Sequence, residues 1–207
     1  MLKFIQRAGY DEYEDRSWEF SQRISLFPKF IQMDAFLLHS VCVVGEHGRA
    51  IVFLGQSGAG KSTIAQKAIK SGYSVITDDT ALMMFYSGEL VVHSTPYISR
   101  SGLIGGCGSW PVDAFVLLEK DAFNAVMPAS KEAFVQSLQE RIFETQYLCH
   151  IFSFTSGGLG GTLAKRLLGY TRKITRRYKA YHLQFNLNLN LEEVMSDFLP
   201  GEGYHVR

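Results

Sequence analysis

The sequence predicts an α/β fold with a mixed sheet, and three observations carry that expectation. A short apolar strand pattern runs directly into a glycine loop and then into a helical pattern. Two pairs of apolar runs are each joined by a short polar turn containing glycine, so antiparallel hairpins accompany the strand–loop–helix unit. With 207 residues, 46% of them hydrophobic, the chain can fill one core of ordinary domain size.

In chain order, residues 1–30 are polar and mixed, with an acidic knot at Asp11, Glu12, Glu14 and Asp15. They read as an N-terminal arm or edge element ahead of a domain spanning 31–207. Ala35 to Val44 and Ala50 to Leu54 read as two strands, joined by a turn from Gly45 to Gly48. Lys61 to Ser71 carries Ile64, Ala65, Ala68 and Ile69 at helical spacing. Tyr73 to Thr77 is a short strand that stops at Asp78-Asp79, after which Ala81 to Tyr86 and Glu89 to His93 flank Ser87-Gly88 as a second hairpin. Ser94 to Pro111 is too rich in glycine and proline for a regular element and reads as a long, functional loop. A strand follows at Val112 to Leu118. Ser130 is placed to cap a helical pattern running through Phe134, Leu138 and Ile142 to about His150. Gly157 to Gly161 reads as a joint, Ala180 to Leu187 as a strand and Leu191 to Leu199 as a closing helix.

Composition narrows the function classes. The net charge is +1, so bulk charge favours neither a nucleic-acid coat nor an acidic tail. The longest apolar run, Ala81 to Tyr86, is far shorter than the roughly 18 residues a membrane helix needs, and no charged-then-apolar leader opens the sequence. Cys42, Cys107 and Cys149 form no CxxC pair, which suits free thiols in a reducing compartment. The expected location is the cytoplasm, away from membranes.

The most specific motif is Gly55-Gln56-Ser57-Gly58-Ala59-Gly60-Lys61-Ser62, a full match to G-x-x-x-x-G-K-[ST] between a strand and a helix. Glycines let successive backbone N–H groups turn inward as an anion cradle, and the helix N-terminus adds partial positive charge. Residues Gly55 to Ser62, with Thr63 next along the helix, are therefore candidate phosphate-binding residues. Lys61 is placed to reach the β- and γ-phosphates of ATP, and Ser62 to offer a hydroxyl to Mg²⁺. A competing reading takes Gly55-x-Ser57-x-Ala59 as a hydrolase nucleophile elbow, with Asp197 and His205 following in order. It leaves Gly60-Lys61-Ser62 unexplained.

Chemistry beyond binding needs a carboxylate for the metal and a group to take a proton. Asp78 and Asp79 end a strand one helix after the loop, and adjacent residues at a strand end point in different directions. One can hold Mg²⁺ while the other serves as general base. The plainer reading is a pair of turn-forming acids opening a hairpin.

Together these residues resemble the C-terminal domain of HPr serine kinase/phosphorylase and its short relatives, which share a phosphoenolpyruvate carboxykinase-like fold. The resemblance rests on Leu38-His39-Ser40-Val41, a strand pair, Gly55 to Ser62, a helix and then Gly72-Tyr-Ser-Val-Ile-Thr-Asp78-Asp79. It implies a mixed-sheet P-loop domain with ATP and Mg²⁺ as cofactors. Lys61 matches a phosphate ligand, Ser62 a magnesium ligand, Asp78 the base and Asp79 the metal carboxylate, and His39 matches a histidine beside the reacting phosphate. Ser94-Thr95-Pro96-Tyr97 sits where short relatives have a Thr-Pro-aromatic segment lining the site; alone it reads as a proline turn.

The chain departs from the full-length enzyme between Gly102 and Gly108, where the acidic-basic signature tied to HPr and phosphorolysis is absent. The resemblance therefore points toward the short relatives, the lasso-peptide precursor kinases being the most similar in size and layout. The implied activity is transfer of the γ-phosphoryl of ATP to a serine-type hydroxyl of a peptide or protein, with HPr and free serine as alternative acceptors. A reading of another class is a nucleotide-binding regulatory module without transfer activity.

Seven cations fall between Lys165 and Lys179 with no acid among them. They read as a solvated helix face or as an acceptor-docking surface; with Tyr170 and Tyr178 as the segment's aromatics, nucleic acid is the weaker reading. Self-association into a homo-oligomer is compatible with the resemblance.

Overall fold

The computed structural model describes residues 21–23, 25–26, 29–45, 47–95, 107–155 and 159–196, with backbone alone within 146–163. The elements in order are β1 (Ala35–His39), β2 (Val41–Val44), β3 (Ala50–Leu54), α1 (Lys61–Lys70), β4 (Ser74–Thr77), β5 (Thr80–Tyr86) and β6 (Glu89–His93). Then come β7 (Ser109–Lys120), β8 (Ala125–Pro128), α2 (Lys131–Thr155), α3 (Leu159–Arg177), β9 (Lys179–Phe185) and α4 (Leu191–Ser196). The fold is α/β with a mixed sheet, as expected; among the described residues the sheet has nine strands.

The sheet curls because one long strand serves two neighbourhoods. The start of β7 pairs antiparallel with β6 through Ser109, Trp110 and Pro111; its remainder runs parallel to β3 on one side and to β9 on the other. One part of the sheet is thus the antiparallel set β1–β5–β6, and the other is β4–β2–β3–β7–β9–β8. One face of the second part packs on α1 and α4 through Val41, Val43, Phe53, Val116 and Leu183 against Ile64, Ala65, Ala68, Leu191 and Val194. The other face carries Cys42, Val52, Phe115 and Leu117, which bury against Phe134, Leu138, Ile142, Leu167 and Ile174 of α2 and α3 and against the antiparallel set.

Several boundaries differ from the sequence expectation. Ala35 to Val44 is two strands, because the chain changes neighbours at Ser40: β1 pairs with β5, whereas β2 pairs with β3 and β4. Ser40 N–H accordingly leaves the ladder and donates to Asp79 O at 2.9 Å. β7 begins at Ser109, three residues before Val112, because the Trp110 segment finds a partner in β6. β8 has no counterpart in the sequence reading; it closes the edge by pairing with β9. Gly160 and Gly161 lie inside α3, whose packing on α2 overrides the glycine cost of about 1 kcal/mol each. α2 runs on to Thr155. Ser130 does cap α2: its Oγ accepts from Ala133 N–H at 3.1 Å. The acidic knot, Pro96, Tyr97, Gly102, Asp197 and His205 lie outside the described residues.

Cys42 and Cys107 are free thiols; burial pushes the Cys42 thiol up to about 12, so it is chemically inert. Among the described residues no helix is long and apolar enough to cross a membrane.

Candidate active site

The glycine loop lies at the carboxyl end of β3, a strand buried along its whole length between β2 and β7. Gly58 and Gly60 take φ of 82° and 100°, in the left-handed region that favours glycine, and Gly60 is the N-cap of α1. A Cβ on Gly60 would stand 2.5 Å from the Phe185 ring, so the close approach of β9 reinforces the requirement. Gln56, Ser57 and Gly58 are exposed, and the side chain of Ser62 is exposed on the first turn of α1. Thr63 is partly buried beside it. The motif thus has the geometry expected of an anion cradle, with the N–H groups of a helix's first turn at its base.

Lys61 is buried and turned back on the loop: Nζ donates to Gly55 O at 2.7 Å and Gln56 O at 3.1 Å. Burial lowers its pKa most, Arg141 lowers it further, and Glu144 and Asp79 oppose the shift. An electrostatic cluster around the loop is therefore defined by Lys61, Asp79, Arg141, Glu144 and His39. The same groups act on His39, whose pKa is lowered first by burial and then by Lys61 and Arg141, against Asp79 and Glu144.

Two strand crossings bring His39 and the aspartates to this point. The chain passes from one part of the sheet to the other at Ser40 and returns at Asp78-Asp79. Cys42 and Thr77 pair on one side of this corner, and His39 and Thr80 on the other. The bend at 77–80 is held by threonine: Thr77 Oγ1 donates to Thr80 O at 3.2 Å and accepts from Asp79 N–H at 3.3 Å. Thr77 thus ties both ends of the bend together. Asp78 is buried. Asp79 is 30% exposed in its side chain, with Oδ1 3.4 Å from His39 Nδ1 and Oδ2 accepting from Thr80 Oγ1 at 3.0 Å.

Arg23, Arg141 and Glu144 at the site were not identified from sequence. Arg23 reaches in from the N-terminal segment, with Nη2 3.0 Å from Thr80 Oγ1 and 3.5 Å from Asp79 Oδ2. Arg141, on α2, donates to Gly55 O at 3.3 Å and to Glu144 at 2.6 Å, and pairs with Glu140 at 3.3 Å. A signal for Arg141 existed: it falls seven residues after Phe134, on the apolar stripe of α2, where a buried cation demands partners. Arg23 had none. Thr95 Oγ1 donates to Thr80 O at 2.8 Å, so the root of the 94–97 segment abuts the corner; Pro96 and Tyr97 lie outside the described residues.

The donor set suits Mg²⁺ held together with a nucleotide. Ser62 and Asp79 offer hard oxygen atoms, and magnesium is commonly held by one or two protein oxygens with phosphates and waters completing its shell. Among the described residues no cluster of three or more His, Cys, Asp or Glu is present that could hold a metal unaided.

The basic segment is partly structural. Arg166 donates to Ile31 O at 2.7 Å, Lys173 pairs with Asp34 at 3.4 Å and stands 3.5 Å above the Phe85 ring, and Arg177 donates to Gly88 O. Lys165, Arg172 and Arg176 remain exposed along one face of α3.

No family model matches the chain. Over 63 residues, 30% of its length, it is 35% identical to the HPr kinase/phosphorylase of Lachnoclostridium phytofermentans, and it spans 20% of that protein's length. Among solved structures it is similar to the HPr(Ser) kinase/phosphatase from Coxiella burnetii, with a TM-score of 0.42 and 12% identity over 78% of this chain and 92% of that chain. The HPr-kinase-like resemblance read from the motifs thus has a counterpart in the sequence comparison.

Proposed function

We propose that the protein is a Mg²⁺-dependent kinase that transfers the γ-phosphoryl group of ATP to a serine-type hydroxyl of a peptide or protein, most like a lasso-peptide precursor kinase. The observation that carries this reading is the corner itself, where two strand crossings set His39 and Asp79 against a buried Lys61 on a glycine loop.

The loop amides and Lys61 bind the phosphates. Lys61 exchanges its two carbonyl partners for phosphate oxygens, and their negative charge offsets the burial that lowers its pKa. Ser62 and Asp79 hold the metal, which supplies neutralisation of charge on the transferring group. As the acceptor oxygen bonds to the γ-phosphorus, the bond to the bridging oxygen breaks, ADP leaves and the hydroxyl proton passes to Asp78. Arg141 fixes the carbonyl at the start of the loop. One observation favours a second assignment with the aspartate roles exchanged: Asp79 is the more exposed carboxylate and the one beside His39. The exposed Lys165, Arg172 and Arg176 give the acceptor a cationic docking face. The site of action is the cytoplasm.

The test is transfer from γ-labelled ATP with Mg²⁺ to a panel of serine-ended peptides, HPr and free serine, with Lys61→Ala as the blank. Label on one peptide or protein is the expected result, and reversing the charge of Arg172 and Arg176 raises KM for that acceptor. Tight ATP binding with no label on any acceptor contradicts the kinase and leaves a regulatory nucleotide-binding module.

A further inference from the structure

The parallel strands β3, β7 and β9 all end at the edge of the sheet that carries the glycine loop. Leu54 lies opposite Leu117 and Lys120 opposite Phe185, so the turns at 121–124 and 186–190 emerge beside the loop. The contact is direct: a Cβ on Gly55 would stand 3.2 Å from Leu118 Cβ, and one on Gly60 would strike Phe185. The two turns are braced against each other. Asp121 N–H donates to Phe185 O at 3.0 Å, Asn186 N–H to Asn124 Oδ1 at 2.9 Å, and Asn186 Nδ2 to Ala122 O at 2.7 Å. Farther along, Leu189 O accepts from Lys67 Nζ at 2.9 Å, which ties the second turn to α1.

On this braced ledge two large apolar side chains stand in solvent, Phe123 at 57% and Leu187 at 77% exposure. Exposing them costs apolar burial, and holding the ledge rigid lowers the ordering cost of a ligand laid on it. In open parallel sheets, ligands lie across the carboxyl ends of neighbouring strands. Two strand spacings from β3 to β9 amount to about 10 Å, within the span of a ribose and base extending from the phosphates.

We infer that Phe123 and Leu187 form the platform for the nucleobase of the triphosphate bound at Gly55 to Thr63. This rests on the nucleotide reading above and adds the base subsite to it. Several polar groups of the ledge are engaged within it: Asn186 Oδ1 accepts from Asn188 N–H, Asn124 Oδ1 from Asn186 N–H, and Asp121 Oδ1 from Ala122 N–H. The platform therefore offers stacking and apolar contact but does not read the edge of the base, and ATP and GTP bind alike.

The test compares affinities of ATP, GTP and inorganic tripolyphosphate for the full chain and for Phe123→Ser, Leu187→Ser and Lys61→Ala. Both exposed positions tolerate serine without loss of core packing. The expected result is that Phe123→Ser weakens ATP and GTP alike by roughly tenfold, Leu187→Ser weakens both less, and tripolyphosphate binding is unchanged in either. Lys61→Ala weakens all three. ATP binding no tighter than tripolyphosphate, or unaltered by both serine variants, overturns the platform while leaving the phosphate site intact. If Phe123→Ser instead abolishes a dimer at constant ATP affinity, the ledge is a self-association surface and the inference fails. Wild-type protein that binds neither ATP nor tripolyphosphate overturns the nucleotide reading itself, and the platform with it.

Discussion

Arg23 and His39 bracket the Asp79 carboxylate from two sides, one a permanent cation and the other a partly buried imidazole. A guanidinium 3.5 Å from Oδ2 opposes the arrival of a second cation, by an amount reduced through partial exposure of both groups. Arg23→Ala is therefore expected to lower the Mg²⁺ concentration needed for half-maximal nucleotide binding by about two- to fivefold. An unchanged Mg²⁺ dependence contradicts a role for Arg23 at this carboxylate. His39 gives a pH signature. Burial depresses its folded pKa below the ordinary value of 6.5, so the unfolded chain binds more protons. Its stabilising contribution is complete above that value and is lost as pH falls from 6.5 toward the lowered pKa. His93, also depressed by burial, adds the same sign. Denaturation midpoints measured across pH 5 to 8 should fall on the acid side, and His39→Asn should flatten part of that slope.

At the scale of elements, the strand–loop–helix unit depends on Gly60. Its φ of 100° is strained for any side chain, at about 1–3 kcal/mol, and a Cβ there meets the Phe185 ring at 2.5 Å. Gly60→Ala is expected to lower the melting temperature and to weaken ATP binding together, because the loop must leave its cradle geometry to admit the methyl group. Wild-type affinity in that variant would show that the cradle tolerates a different backbone. This unit was legible in the sequence because its information is local: a buried strand, glycines at fixed spacing and apolar residues on one helix face. The change of partners at Ser40 was not, since Ala35 to Val44 is almost continuously apolar and only non-local pairing with β5 and β4 reveals the break. β8 is four residues ending in proline, too short to carry a period. Arg141 could have been found as a cation on an apolar stripe, whereas Arg23 reaches the site only through the path of the folded chain.

Across the whole molecule, the curl of the sheet makes the site. β7 shares its length between the antiparallel set and the parallel set, and the two strand crossings that this requires meet at a single corner. That corner lies beside the loop, so Asp79, Glu144, His39 and Lys61 share one electrostatic field. The presence of Asp78 and Asp79 after the loop was visible in the sequence, but their unequal exposure was not, because it arises from which side of the corner each faces.

The most direct measurement of this arrangement takes Asp78→Asn and Asp79→Asn in parallel and reads ATP affinity, its Mg²⁺ dependence and phosphoryl transfer in each. The expected outcome is that both variants bind ATP within a few fold of the wild type, that neither transfers, and that the Mg²⁺ dependence of binding is lost in Asp79→Asn alone. Transfer retained in both variants, or ATP binding and transfer lost in equal measure, would contradict it.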